Sequence, residues 1–180
     1  MKTIIKLSFI ALFIFLTACS SGGGTIPDKI YYRFAEPSIR ISNKNIDKIE
    51  RPTALGILGS RPMVAENAQG GMLQMNHNLW LESPKVLLQN YLLKVFNLNN
   101  ENIMQKDGNT LSAAIIHLEK QQTTAIIEIK FTVKNTNDEI IFNKSYHQAQ
   151  PMAENTIVDF VHVINQELAA ITQQLSNDLP

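Results

Sequence analysis

The chain has 180 residues, enough for one domain with a proper core. Its 16 basic and 16 acidic residues balance, and no block of like charge stands out, so nothing suggests a nucleic-acid footprint. A single cysteine excludes an intrachain disulfide framework.

Met1 to Lys6 carries two lysines and no acid, and Leu7 to Leu16 is apolar except for Ser8. A positive start followed by about 10 apolar residues has the build of a secretory leader, and it is too short to cross a bilayer, which takes about 20. The apolar run ends in Leu16-Thr17-Ala18-Cys19. This is the pattern of a lipobox, with small residues to fit a peptidase and a thiol to receive diacylglycerol. Cys19 is therefore expected to be the lipidated N-terminus of the mature chain. The expected organisation is a leader at 1–18, a lipidated cysteine and tether at 19–28, and a folded domain at 29–180. Lys2 and Lys6 leave with the leader, so 14 basic residues face 16 acidic ones, a formal charge of −2. Ser20-Ser21-Gly22-Gly23-Gly24-Thr25 is flexible tether composition. Ser20, rather than an aspartate, follows the cysteine, which favours the outer membrane and its periplasmic face. The only cofactor expected is the covalent lipid itself.

Lys29 to Phe34 reads as a first strand, and Ala35 to Arg51 as a loop or ragged strand. Thr53 to Leu58 reads as a short apolar strand. Arg61 to Glu66 and Met72 to His77 read as a hairpin closed by Asn67-Ala68-Gln69-Gly70-Gly71. Ser83-Pro84 opens a helix that ends near Asn97, with Ser83 as N-cap and Pro84 at the first turn. Leu111 to Lys120, Thr124 to Lys134 and Glu139 to Tyr146 read as three strands. In the middle one Ile127, Ile129, Phe131 and Val133 alternate with polar residues. Asn135-Thr136-Asn137-Asp138 is turn chemistry. From about Met152 to Ser176, Ile157, Val161, Ile164, Leu168, Ile171 and Leu175 step by three and four along a helix. The expected fold is one mixed α+β domain, a mixed sheet of about five or six strands with two main helices packed on it.

Chemistry is sparse. His77, His117, His147 and His162 show no metal-ligand spacing, and no nucleophile elbow or phosphate loop is present. Each histidine reads as an ordinary surface or core residue, and no enzyme activity, catalytic residue or metal site is expected. Trp80 reads either as a partner or lipid contact or as a wedge closing the core. Tyr31 and Tyr32 point to opposite faces of one strand, so at least one is open to a contact.

Taken together, the lipobox, Tyr31-Tyr32-Arg33-Phe34, Arg61-Pro62-Met63-Val64 and Trp80-Leu81-Glu82-Ser83-Pro84 before a helix resemble the ABC-type transport auxiliary lipoprotein family, with its PqiC-like outer-membrane lipoproteins. The resemblance implies a non-catalytic auxiliary of an MCE/ABC-type intermembrane phospholipid transport system. It implies an MCE-domain protein as partner and, indirectly, an ABC transporter, and leaves homo-oligomers open. A structural or assembly lipoprotein of another envelope complex is the alternative.

Overall fold

Runs of β-branched and aromatic residues with period-two burial build most of this molecule. The computed structural model describes residues 27–41, 45–98 and 108–180. The leader, Cys19 and the Gly/Ser tether lie outside the described residues. Eight strands join one mixed sheet: β1 (Ile30–Tyr32), β2 (Ile46–Ile49), β3 (Thr53–Ala54), β4 (Pro62–Glu66), β5 (Met72–Trp80), β6 (Asn109–Gln121), β7 (Thr124–Lys134) and β8 (Ile140–Pro151). Two α-helices follow their strands, α1 (Pro84–Val95) and α2 (Ile157–Asp178). The order across the sheet is β1-β5-β4-β6-β7-β8, and β2 and β3 also pair with β6. One edge of β6 thus receives β2, β3 and β4 in succession, all parallel, while β7 pairs antiparallel with the other edge.

The α+β fold and the single sheet match expectation, and the strand count is higher. The added piece is β2, four residues long, inside the stretch read as a loop or ragged strand, and β3 keeps two residues of the expected apolar strand. The stretch around β2 has too few apolar residues to show a period, and both segments are strands because β6 offers them an unpaired edge. Thr53 to Leu58 is not one strand. Gly56 turns the chain at φ +46 into a 3-10 turn over Gly56–Gly59. The last helix starts at Ile157, later than Met152, because β8 runs on to Pro151 and Met152 N–H donates to Thr123 O at 2.8 Å.

Both helix ends have local causes. The Thr156 side chain accepts from Asp159 N–H at 3.1 Å, and Asp159 Oδ2 accepts from Glu154 N–H at 2.7 Å, which caps α2. Asn97 takes φ +54 after α1, and Leu98 N–H donates back to Leu93 O at 2.8 Å, a Schellman closure. Ile127, Ile129, Phe131 and Val133 of β7 meet Phe160, Ile164, Leu168 and Ile171 of α2 in one core, and all are 1% exposed or less. At about 25 cal/mol per Å² of apolar surface, this helix–sheet layer is the main stabilising term. Tyr91 of α1 and Thr172 of α2 are both buried on the same side. Desolvation there pushes the Tyr91 phenol up, ahead of the opposing effect of Thr172.

β6 breaks its own period. Leu111, Ala113 and Ile115 face the core, and strict alternation would send His117 there too. A bulge between Ile115 and His117 shifts the register, so Leu118 packs inward and His117 and Glu119 turn to the outer face.

Candidate functional site

Two regions of the sheet carry exposed chemistry. The first is the edge where the chain enters the domain. Parallel pairing sets Tyr31 opposite Leu79 and Tyr32 opposite Trp80, so each pair shares a face. Tyr32 and Trp80 belong to the core face. Trp80 is 2% exposed, with Phe34 edge-on at 5.3 Å and Phe160 at 6.3 Å between ring centroids. The core wedge is therefore the role its position supports. Tyr32 is half-buried against the same core. Tyr31 points the other way and is 47% exposed, next to Ile30 and near Leu81, both exposed. Arg61 lies over the Tyr31 ring at 5.1 Å and donates through Nε to Trp80 O at 3.1 Å. That hydrogen bond fixes the guanidinium, so the aromatic–cation pair is presented rigidly.

Beside this strip a groove of about 180 Å³ runs between the segment after β1 and the face of α1, with Arg33, Glu36, Leu81, Tyr91 and Lys94 on its walls. Lys94 Nζ donates to Glu36 at 2.6 Å and holds that carboxyl below the usual carboxylate range. Both partners are solvated, so the pair orders the rim more than it stabilises the fold. The groove is shallow and mixed in polarity, suited to a surface contact rather than enclosure of a substrate.

The second region is the outer face of β6, β7 and β8. Register puts His117, Glu128 and His147 in one row across the three strands. His117 Nδ1–H donates to Glu119 Oε1 at 2.6 Å, and His147 Nδ1–H donates to Glu128 Oε2 at 3.1 Å. Glu119 is 3% exposed, and its other oxygen accepts from Leu118 N–H at 2.9 Å. The two rings meet edge to face at 6.1 Å. Sequence spacing does not reveal this pair, because 30 positions separate the histidines. Two hairpin turns and the bulge bring them together. Among the described residues, no group of three or more His, Cys, Asp or Glu side chains is placed to hold a metal ion, and no helix is long and apolar enough to cross a membrane.

No family model and no curated protein matches the chain. Among solved structures, it is similar to an uncharacterized protein with TM-score 0.71 at 14% identity, over 86% of this chain and 100% of that one. It is also similar to a Xanthomonas campestris protein described under the family model DUF330, with TM-score 0.63 at 14% identity, over 81% of this chain and 92% of the other. At that identity the likeness is one of fold. These findings correct the resemblance to the PqiC-like auxiliary lipoproteins: no family model carries it, and the structural likeness points to a DUF330-type fold instead. Within the short motifs at Tyr31–Phe34 and Trp80–Pro84, Phe34 and Trp80 serve the core.

Proposed function

We propose that the protein is a lipid-anchored periplasmic lipoprotein that works without catalysis, docking an MCE/ABC-type intermembrane phospholipid transport system at the outer membrane. The observation that carries the anchor is the sole cysteine, set at the end of an apolar leader in Leu16-Thr17-Ala18-Cys19 and followed by a Gly/Ser tether. The described part of the chain then enters its sheet at an edge strand, and that edge bears the exposed Ile30, Tyr31 and Leu81 with Arg61 stacked on Tyr31. Aromatic and arginine side chains held rigidly at a surface are the usual anchors of protein contacts. An open strip and a shallow groove favour a docking role over turnover.

The test pairs two measurements. Mass spectrometry of the purified chain should show loss of the leader and an acylated Cys19, with Cys19→Ser left unprocessed. In-cell crosslinking from Tyr31, followed by mass spectrometry, should recover an MCE-domain protein. Recovery of only a β-barrel or peptidoglycan-linked protein, with MCE proteins present in the input, would replace the transport role with an assembly role. An unmodified Cys19 in a normally exported protein would remove the anchor.

A further inference from the structure

We propose that the outer face of β6–β8 holds a divalent transition-metal ion of the zinc class through the Nε2 atoms of His117 and His147. The proposal stands on the second region alone and does not depend on the docking role.

Three observations converge. First, each imidazole donates its Nδ1–H to a carboxylate, His117 to Glu119 at 2.6 Å and His147 to Glu128 at 3.1 Å. A neutral imidazole fixed in that way leaves Nε2 as its unprotonated nitrogen, the atom that binds metals. A carboxylate behind each ligating histidine is the usual outer shell of a zinc or copper site, where it fixes the tautomer and raises the basicity of the ligand. Here it occurs twice, on the two histidines that flank Glu128 in one row.

Second, the rings are close enough to share an ion. A metal–nitrogen bond is about 2.0–2.1 Å, and with roughly 1.2 Å from nitrogen to ring centre, two histidines on one ion have centroids at most about 6.5 Å apart. The observed 6.1 Å is under that collinear limit and about 1 Å over the roughly 5.2 Å of a tetrahedral ion, so the rings must turn out of their edge-to-face contact and close by that much to share one. Both side chains are about half open, 43% and 52% exposed, which leaves room for water to complete the coordination.

Third, the backbone bends to make the pair. Without the bulge between Ile115 and His117, alternation would bury His117 in the core, away from His147. The bulge turns His117 outward and places Glu119 behind it, 3% exposed and held by Leu118 N–H. Bulges commonly re-aim a side chain at a site. A buried carboxylate needs partners, and here they are His117, the Leu118 N–H and, more weakly, Gln121 at 3.5 Å. With two protein ligands and the rest water, the site suits an imidazole-preferring ion such as Zn²⁺, Ni²⁺ or Cu²⁺ rather than Mg²⁺ or Ca²⁺, which take oxygen ligands.

The experiment is calorimetric titration of Zn²⁺ into the full-length protein, purified with its anchor in detergent, without a polyhistidine tag and after chelator treatment. One equivalent should bind saturably. His147→Ala should abolish saturable binding, and Glu128→Gln should weaken it by about 10–100-fold, the usual loss for an outer-shell carboxylate. His162→Ala, on α2 and outside the row, should bind as the wild type does. Nitrogen NMR of the zinc-loaded protein should show Nε2 as the bound atom on both histidines. His147 is on the surface, so its variant tests the site even if His117→Ala fails to fold. Absence of saturable binding, unchanged affinity in His147→Ala, or coordination through Nδ1 would each overturn the proposal.

Discussion

Trp80 discriminates most sharply between packing and contact. It is 2% exposed, with Phe34 edge-on to its ring and Phe160 tilted against it. Truncation to alanine removes a whole indole from a core that cannot fully collapse, at a cost of about 3–5 kcal/mol. The two aromatic contacts supply about 0.5–1.5 kcal/mol each of that loss. Against a total stability of roughly 5–15 kcal/mol, Trp80→Ala should remain folded but close to its threshold. With a urea slope of about 2 kcal/mol per molar, a 4 kcal/mol loss lowers the unfolding midpoint by about 2 M, as followed by circular dichroism. Trp80 is the only tryptophan, so the wild-type emission reports on this site alone. It should be blue-shifted and resist quenching by iodide. Emission typical of an exposed indole, or an unchanged urea midpoint in Trp80→Ala, would refute the core assignment and return Trp80 to the surface as a contact.

Three further perturbations probe separate features. Thr156→Ala removes the side chain that caps α2, and should cost about 1 kcal/mol, or roughly 2–4 °C of melting temperature for a domain of this size, while Thr156→Ser keeps most of it. Gly70→Ala should cost about 1 kcal/mol in the same melt, because Gly70 sits at φ +79 and an added Cβ meets nothing nearer than Glu66 at 3.7 Å, so conformation rather than collision sets the loss. The Asp178 carboxyl is held below the usual carboxylate range by hydrogen bonds from Lys144 and then Tyr146, both at 2.7 Å. A depressed folded value gives stability that is complete above the unfolded value of about 3.9 and is lost as pH falls through the folded one. Asp178→Asn should therefore unfold at lower urea than wild type at pH 7, with the gap closing toward pH 3; an equal gap at both values would count against the ion pair.

Legibility in the sequence followed the length of the pattern. The alternation of Ile127, Ile129, Phe131 and Val133 and the stepping of Ile164, Leu168, Ile171 and Leu175 each repeat often enough to define a face, and both faces meet in the core. Asn135 to Asp138 declares itself through side-chain chemistry, and the Asn135 side chain does accept from the N–H groups of Asn137 and Glu139. Pro84 marks the first turn of α1, and Ser83 stands at the N-cap position without a side-chain capping bond. The short strand β2 does not declare itself, because its four residues contain no period, and β3 shows only as the start of the apolar run Thr53 to Leu58. Their strand state is set by β6, far away in sequence. The histidine row was hidden for a related reason. Its formation depends on where two turns fall and on one extra residue in β6, and the turn residues at φ > 0, Gln122 and Asp138, are neither of them glycine. Counting back from the first turn pairs position 117 with 128, but from Lys134 opposite Ile140 it pairs 128 with 146, and only the irregularity between Val133 and Lys134 moves the partner to 147, so the signal was arithmetic across irregular hairpins rather than a local motif.

The two surfaces are separable by geometry. The sheet order puts β1 at one edge and β8 at the other, with β6 three strands from β1 and β8 five. At about 4.8 Å per strand, the Tyr31 strip and the histidine row stand roughly 14–24 Å apart across the sheet. Cys19 precedes Ile30 by 11 residues, so the segment that follows it joins the domain at the β1 edge rather than at the histidine row. Contact chemistry near the tether and metal chemistry away from it should then respond to different mutations. Tyr31→Ala should reduce crosslinking to the partner and leave zinc affinity unchanged, and His147→Ala should do the reverse. If either substitution altered both readouts while the fold stayed intact by circular dichroism, the two surfaces would have to be one site, and the strand order that holds them apart would be the first premise to discard.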